Sequence, residues 1–159
     1  MNSTIQIGIM GYGNLGRGVE LAIRQNPDMT LAAFFTRRAP ETLHTLTPDV
    51  PVYHVDRLSE FRDQIDVLIL CGGSASDLPV QSPECARMFN IVDSFDTHAS
   101  IPEHFARCDT AAREAGTTAL ISAGACCHKD ISAQGRVSKG VSRGPSLPGW
   151  GYPPVRGHG

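Results

Sequence analysis

Short apolar runs alternate with amphipathic segments along residues 1–124 of the chain. The apolar runs have the length and composition of buried strands, which predicts strands at residues 5–10, 30–38, 50–55, 66–73, 90–95 and 117–124. The amphipathic segments carry start and stop signals such as Pro102 and Gly116, and they predict helices at residues 14–26, 58–64, 79–89 and 101–116. Strands that alternate with helices in this order predict an α/β fold: a doubly wound parallel sheet with helices on both faces.

This pattern ends at Gly124. Residues 125–159 contain seven Gly and four Pro, and neither strand nor helix periodicity survives in them. The charge changes at the same place, because residues 1–124 carry nine Lys and Arg against fifteen Asp and Glu, whereas residues 125–159 carry five against one. We therefore predict a single domain over residues 1–124 and an irregular Gly/Pro-rich tail over residues 125–159.

The composition of the 159 residues is that of an ordinary globular protein, with 41% hydrophobic residues and a formal net charge of −2. This balance gives no indication of a nucleic-acid or membrane partner. Five cysteines without framework spacing, and no apolar run near the ~20 residues of a membrane span, favour a cytoplasmic protein with reduced thiols. The cluster Cys126-Cys127-His128 lacks the paired spacing of a zinc site, so no metal site is predicted.

A glycine-rich turn joins the first predicted strand to the first predicted helix, with the sequence Gly11-Tyr12-Gly13-Asn14-Leu15-Gly16. In a G-x-G-x-x-G turn the first glycine allows the tight turn, the second admits a pyrophosphate to the backbone, and the third lets the helix pack close to the strand. The amide groups at the helix start would then face the phosphate, aided by the helix dipole. The turn therefore predicts a dinucleotide site.

The second predicted strand ends in Thr36, Arg37 and Arg38. A site for NAD usually has Asp or Glu at this point, where the carboxylate accepts hydrogen bonds from the ribose hydroxyls. A hydroxyl and two guanidinium groups suit a 2′-phosphate instead, because arginine offers a charge-assisted fork. We therefore predict NADP as the cofactor.

The predicted fold resembles a nucleotide-binding Rossmann domain, in which ligands bind beyond the carboxyl ends of the strands. That rule places four segments along one edge of the sheet: Gly11–Gly16, Thr36–Arg38, Cys71–Ser74 and Asp93–His98. Cys71, Cys85 and Cys108 lie in or beside apolar elements, and we expect them to be packing residues rather than nucleophiles.

Five segments together resemble the N-terminal half of the meso-diaminopimelate dehydrogenase family: GYGNLGRGVE, FFTRR, LCGGSASDLP, VDSFDTHASIP and ALISAG. The resemblance runs from about residue 5 to Gly124, in order and at matching spacing. It implies an NADP-dependent oxidoreductase that deaminates the D-configured centre of meso-2,6-diaminoheptanedioate, yielding L-2-amino-6-oxoheptanedioate, ammonia and NADPH. It also implies a homodimer and a role in lysine and diaminopimelate biosynthesis.

The resemblance assigns roles to particular residues of this chain. Tyr12, Gly13, Asn14 and Leu15 would hold the pyrophosphate, and the Thr36–Arg38 segment the 2′-phosphate. Cys71, Gly72, Gly73 and Ser74 would line the ribose and phosphate on the nicotinamide side. Asp96 would lie near the reacting amino group as the catalytic residue, since a carboxylate there can hold an ammonium or relay its proton, and His98 would lie beside the cofactor.

After Gly124 the chain departs from the family pattern, which continues with a Trp-Asp-Pro-Gly segment and a substrate and dimerisation domain. A truncated or frameshifted reading frame would explain this departure, and the chain alone is then expected to bind cofactor with negligible deamination. The alternatives are a non-catalytic NADP(H)-binding or sensor module with an interaction tail, and a related amino-acid or semialdehyde dehydrogenase.

Overall fold

The structure, a computed structural model, describes residues 4–123. Six strands form one sheet: β1 (Ile5–Met10), β2 (Met29–Thr36), β3 (Val52–His54), β4 (Val67–Leu70), β5 (Asn90–Asp93) and β6 (Ala119–Leu120). Three α-helices connect them: α1 (Asn14–Arg24), α2 (Leu78–Ala86) and α3 (Ile101–Ala115). Three 3₁₀ segments complete the described elements: Pro40–Thr42, Val55–Phe61 and His98–Ser100.

The strands lie in the order β3-β2-β1-β4-β5-β6, and every neighbouring pair is parallel. The chain builds outward from β1 to β3, returns to the centre, and builds outward again from β4 to β6. The point where the order reverses therefore lies between β1 and β4, which is where open α/β sheets bind ligands. The predicted α/β class with a doubly wound parallel sheet is confirmed.

Each face of the sheet carries its own hydrophobic cluster, because successive side chains of a strand point to opposite faces. Phe34 packs with Ile7, Ile9 and Ile23 on the face covered by α1. The neighbouring residue Phe35 belongs to the larger cluster on the other face, which α2, α3 and the Val55–Phe61 segment cover. These two clusters cover both faces of the sheet next to the edge where its strands end.

The last strand is much shorter than the sequence predicts. Only Ala119 and Leu120 pair with β5, whereas strand was predicted over residues 117–124. Ser122 leaves the extended region with a φ of 57°, and its amide donates to the Asp93 carboxylate at 2.7 Å. A hydrogen bond to the buried Asp93 side chain therefore turns the chain here, and the local apolar pattern does not predict it. The predicted helix at residues 58–64 is also shifted, to the 3₁₀ segment Val55–Phe61.

Among the described residues, none of the helices has the length and apolar character needed to cross a membrane. The predicted tail at residues 125–159 lies outside the described residues, and so do Cys126, Cys127 and His128.

Candidate functional site

The glycine-rich turn after β1 has the backbone geometry that its sequence predicts. Gly11 has a φ of 91°, which side chains with a Cβ rarely adopt, and its amide donates to the Phe35 carbonyl at 2.9 Å. A Cβ on Gly16 would lie 2.5 Å from the Gly11 carbonyl oxygen, so α1 can approach the end of β1 only with glycine there. A Cβ on Gly13 would meet nothing within 4 Å. The second glycine of the motif therefore faces open space.

The first turn of α1 is open to a ligand. Gly13 is the N-cap residue and has no side chain to cap the helix, and no acidic residue lies in the first turn. Gly13, Asn14 and Leu15 are exposed. Backbone N–H groups at such a helix start have no intrahelical acceptor, and the helix dipole adds positive potential. The arrangement favours an anion that approaches over Gly13.

The Tyr12 side chain turns away from this opening and towards α1. Its hydroxyl donates to Glu20 Oε2 at 2.5 Å and accepts from the Leu46 amide at 3.2 Å, and its ring packs edge-on against Phe34. Burial alone would raise the pKa of Glu20, but the hydrogen bonds from Tyr12 and Leu46 lower it on balance. The Tyr12 side chain thus holds the glycine-rich turn against α1. Only the backbone of Tyr12 is available to contact a phosphate.

At the end of β2, Thr36 is buried and its hydroxyl accepts the Arg38 amide at 3.1 Å. The Arg37 guanidinium extends towards the loop after β4, where its Nη2 lies 2.9 Å from Asp77 Oδ2. The Arg38 side chain is exposed and makes no ion pair among residues 4–123. Of the two predicted arginines, Arg37 is therefore paired with a carboxylate, whereas Arg38 has no ion-pair partner among residues 4–123.

The loops after β4 and β5 are joined by Ser74. Its hydroxyl accepts the Asp96 amide at 2.8 Å, which fixes the backbone of the predicted catalytic residue against the Cys71–Ser74 segment. The Asp96 side chain is exposed at the edge of the sheet. His98 begins the short 3₁₀ segment that leads into α3. The structure thus brings Ser74 and Asp96 together, as expected for segments that share one edge.

Asp93 has a different role from Asp96 although the two residues are only three apart. Its carboxylate is buried and accepts four hydrogen bonds, from the Ser82 hydroxyl and His104 Nε2 at 2.7 Å each, the Ser122 amide at 2.7 Å and the Phe95 amide at 3.2 Å. The Asp93 carboxylate therefore connects α2, α3 and the loops after β5 and β6 through hydrogen bonds.

The buried group Asp93, His104 and Cys108 has side-chain types that can bind metal. However, His104 Nε2 and Asp93 Oδ2 lie 2.7 Å apart, which is a hydrogen-bond distance. Two ligands of one tetrahedral zinc ion at bond lengths near 2.0 Å would be separated by about 3.3 Å. The geometry is that of a hydrogen-bonded pair.

The three described thiols are poor nucleophiles. Cys85 and Cys108 are buried, which confirms them as packing residues, and burial raises the pKa of Cys71, Cys85 and Cys108 to about 12 in each case. At pH 8 the thiolate is then present in only about one molecule in ten thousand. We expect iodoacetamide to alkylate these cysteines at least about 1,000-fold more slowly in the folded protein than in urea.

Peptide-resolved mass spectrometry measures each cysteine separately in the two conditions. Cys71 provides the sharpest check, because it is the most exposed of the three and lies at the candidate site. Alkylation of Cys71 at the same rate with and without urea would show that its thiol is not desolvated.

Sequence reasoning missed Asp77 and Gln81, which line a cleft with Gly11, Thr36 and Gly72. Asp77 lies in the loop after a buried strand, and ligand-binding residues concentrate in such loops. Its position could therefore have marked it as a candidate. Sequence reasoning also missed Glu20, a buried acid on α1, for which neither spacing nor composition gives a signal.

Comparison with known proteins shows which sequences the chain is similar to. No family model matches the chain. The chain is 58% identical over 122 residues to the meso-diaminopimelate D-dehydrogenase of Ureibacillus thermosphaericus, an alignment that covers 77% of this chain and 37% of the relative. Over these residues the chain is homologous to the meso-diaminopimelate dehydrogenases. The resemblance seen in its motifs is therefore confirmed.

Solved structures of such dehydrogenases match the same region. An engineered D-amino acid dehydrogenase bound to NADP⁺ shares 44% identity, with a TM-score of 0.69 over 76% of this chain and 36% of that chain. The diaminopimelate dehydrogenase of Corynebacterium glutamicum in complex with DAP gives the same identity, TM-score and coverage. The chain spans just over a third of the length of the curated dehydrogenases it matches.

Proposed function

We propose that residues 4–123 bind NADP(H). The observation that carries this proposal is the uncapped start of α1 at Gly13, open to solvent, at the same edge of the sheet as the uncompensated Arg38 guanidinium. A pyrophosphate over Gly13 would accept the free amides of the helix, and a 2′-phosphate near Arg38 would accept a charge-assisted fork. A relative with 44% identity is bound to NADP⁺, which supports the proposal.

The other predicted contacts follow from this pose. Thr36 and Arg37 would complete the 2′-phosphate site, and Gly11, Asn14, Leu15 and Gly16 would shape the pyrophosphate turn. The Cys71–Ser74 segment would lie along the ribose on the nicotinamide side, with His98 at its margin. These positions all lie where the parallel strands end, as the fold requires of a dinucleotide site.

We further propose that this domain supplies the cofactor half of a meso-diaminopimelate dehydrogenase. The bound nicotinamide would accept a hydride from the D-configured carbon, while water replaces the amino group as ammonia. Asp96 is exposed beside Ser74, so its carboxylate can hold the substrate ammonium and take up its proton. The edge is open at Gly13 and Asp96, so the water-poor pocket that hydride transfer needs requires residues beyond 4–123.

The same relatives favour this activity over a non-catalytic binding module. By extension from the family, we propose that the whole protein acts in the cytoplasm and as a homodimer.

The cofactor proposal is tested by titrating the chain with NADPH and NADH at low ionic strength. We expect NADPH to bind more tightly, and we expect Arg38→Ala to weaken NADPH by about 10- to 100-fold, because one hydrogen bond to a charged group contributes about 1.5–3 kcal/mol. The affinity of Arg38→Ala for NADH, which lacks the 2′-phosphate, should change little.

Arg87→Ala is the matched control, because it removes one exposed arginine just after α2 and far from the glycine-rich turn in sequence. It should leave both affinities unchanged. The proposal fails if neither dinucleotide binds, or if Arg38→Ala weakens NADH as much as NADPH.

A further inference from the structure

Asp77 stands in the N-cap position of α2 but does not cap it. An N-cap carboxylate normally accepts a hydrogen bond from an amide of the first helical turn. The Asp77 side chain makes no such bond. Its Oδ2 instead accepts the Gly73 amide at 3.1 Å and the Arg37 Nη2 at 2.9 Å. The carboxylate therefore faces back towards the edge of the sheet, away from its own helix.

The contact with Arg37 joins the loop after β2 to the loop after β4, and the contact with Gly73 anchors Asp77 within the latter. The joined loops line the cleft that contains Gly11, Thr36 and Gln81. A Cβ on Gly72 would lie 2.9 Å from both Asp77 Cβ and Gln81 Oε1, so the loop packs directly against Asp77. The position of Arg37 over this cleft is thus set by a residue forty positions away in the sequence.

We propose that Asp77 is a positioning residue for the adenosine half of the dinucleotide, acting by holding the Arg37 side chain over the cleft. This inference rests on the proposed NADP(H) function. The Arg37 side chain is 63% exposed and would otherwise sample many rotamers, whereas Asp77 is only 14% exposed and is anchored by the Gly73 amide. Arginine held in one rotamer loses less conformational entropy when a ligand binds.

The contact leaves Arg37 able to bind a ligand. A guanidinium carries five N–H donors, and only Nη2 engages Asp77, so the Nε and Nη1 donors remain for the ribose or its phosphate. The Gly73 amide, together with Arg37, keeps the pKa of Asp77 below its usual value. The carboxylate is therefore charged at neutral pH and balances Arg37, which leaves Arg38 as the cation that a 2′-phosphate must neutralise.

Other roles for Asp77 predict different changes in affinity when its carboxylate is removed. If Asp77 merely occupied Arg37 in place of a phosphate, removing the carboxylate would tighten binding. If Asp77 acted only through its own loop, removing it would weaken binding whether or not Arg37 were present. A double-mutant cycle separates these cases, because it measures whether the effect of one residue needs the other.

The probe is 2′,5′-ADP, which contains the adenosine and 2′-phosphate without nicotinamide, titrated into the full chain by calorimetry. We expect Asp77→Asn and Arg37→Ala each to weaken 2′,5′-ADP by about fivefold, the size of a partly exposed ion pair of about 1 kcal/mol. The double variant Asp77→Asn/Arg37→Ala should bind as Arg37→Ala does.

Tighter binding by Asp77→Asn, or a further loss in the double variant, would overturn the inference, and so would unchanged binding by either single variant. Arg37 is exposed, so its replacement by alanine tests the pair even if Asp77→Asn folds poorly. Failure of the unmodified chain to bind 2′,5′-ADP would count against the proposed function itself.

Asp109→Asn is the matched control. Asp109 Oδ2 lies 2.8 Å from Arg113 Nε on α3, and the pair has no contact with the cleft. The Asp109→Asn substitution removes the same charge from a similar ion pair, and the affinity for 2′,5′-ADP should not change.

Discussion

Replacing Gly13 by alanine is expected to weaken NADPH binding by about 10- to 100-fold while leaving the melting temperature of the domain unchanged, since one lost hydrogen bond to a charged group corresponds to about 1.5–3 kcal/mol. A Cβ at Gly13 would meet no protein atom within 4 Å, so the fold has room for it. The methyl group would instead occupy the space through which a pyrophosphate reaches the first amides of α1. Calorimetric titration together with thermal unfolding measures both effects.

Two other glycines of this region provide the controls. Gly18 lies within α1 and a Cβ there also meets nothing within 4 Å, so Gly18→Ala should bind NADPH normally and gain about 0.5–1 kcal/mol of stability. Gly16→Ala should instead destabilise the domain, because its Cβ would lie 2.5 Å from the Gly11 carbonyl oxygen. Normal NADPH affinity in Gly13→Ala would show that no phosphate lies over this turn.

Asp93→Ala is expected to lower the free energy of unfolding by about 3–5 kcal/mol, because each buried donor left without an acceptor costs about 1–3 kcal/mol. The substitution leaves four donors without their acceptor: the Ser82 hydroxyl, His104 Nε2 and the amides of Phe95 and Ser122, of which all but the last belong to buried residues. Urea unfolding followed by circular dichroism measures the loss.

Asp96→Ala is the natural comparison, since Asp96 is exposed and its described contact with Ser74 is made by the backbone amide. We expect its free energy of unfolding to stay within about 0.5 kcal/mol of that of the unmodified chain. If both aspartates proved equally dispensable for stability, the carboxylate of Asp93 would not be the anchor of these loops. Asn at position 93 should give an intermediate loss, because its side chain keeps one acceptor oxygen.

The residues that local sequence could predict are those whose role depends on backbone geometry. Gly11 and Gly16 were predicted from spacing alone, since a tight turn and a close helix approach exclude a Cβ whatever the rest of the fold does. The doubly wound parallel sheet was predicted similarly, from the alternation of apolar runs and helices.

The residues that local sequence could not predict depend on contacts between distant positions. Asp77 reaches Arg37 across forty residues, and Ser122 donates to Asp93 across twenty-nine. The second contact is what shortens β6, so even a secondary-structure boundary was decided by tertiary structure. Asp93 and Asp96 both follow the same predicted strand, and local sequence does not show that the first is buried and the second exposed.

If NADP(H) binds as proposed, the uncapped start of α1 would also link coenzyme supply to the lifetime of the protein. Amides that no side chain at Gly13 satisfies are left to solvent until an anion arrives. A ligand that binds only the native state raises its stability by mass action, by about 2.7 kcal/mol when its concentration is 100 times its dissociation constant. Proteolytic turnover of such a domain would then slow when the nucleotide pool is full and accelerate when it is depleted.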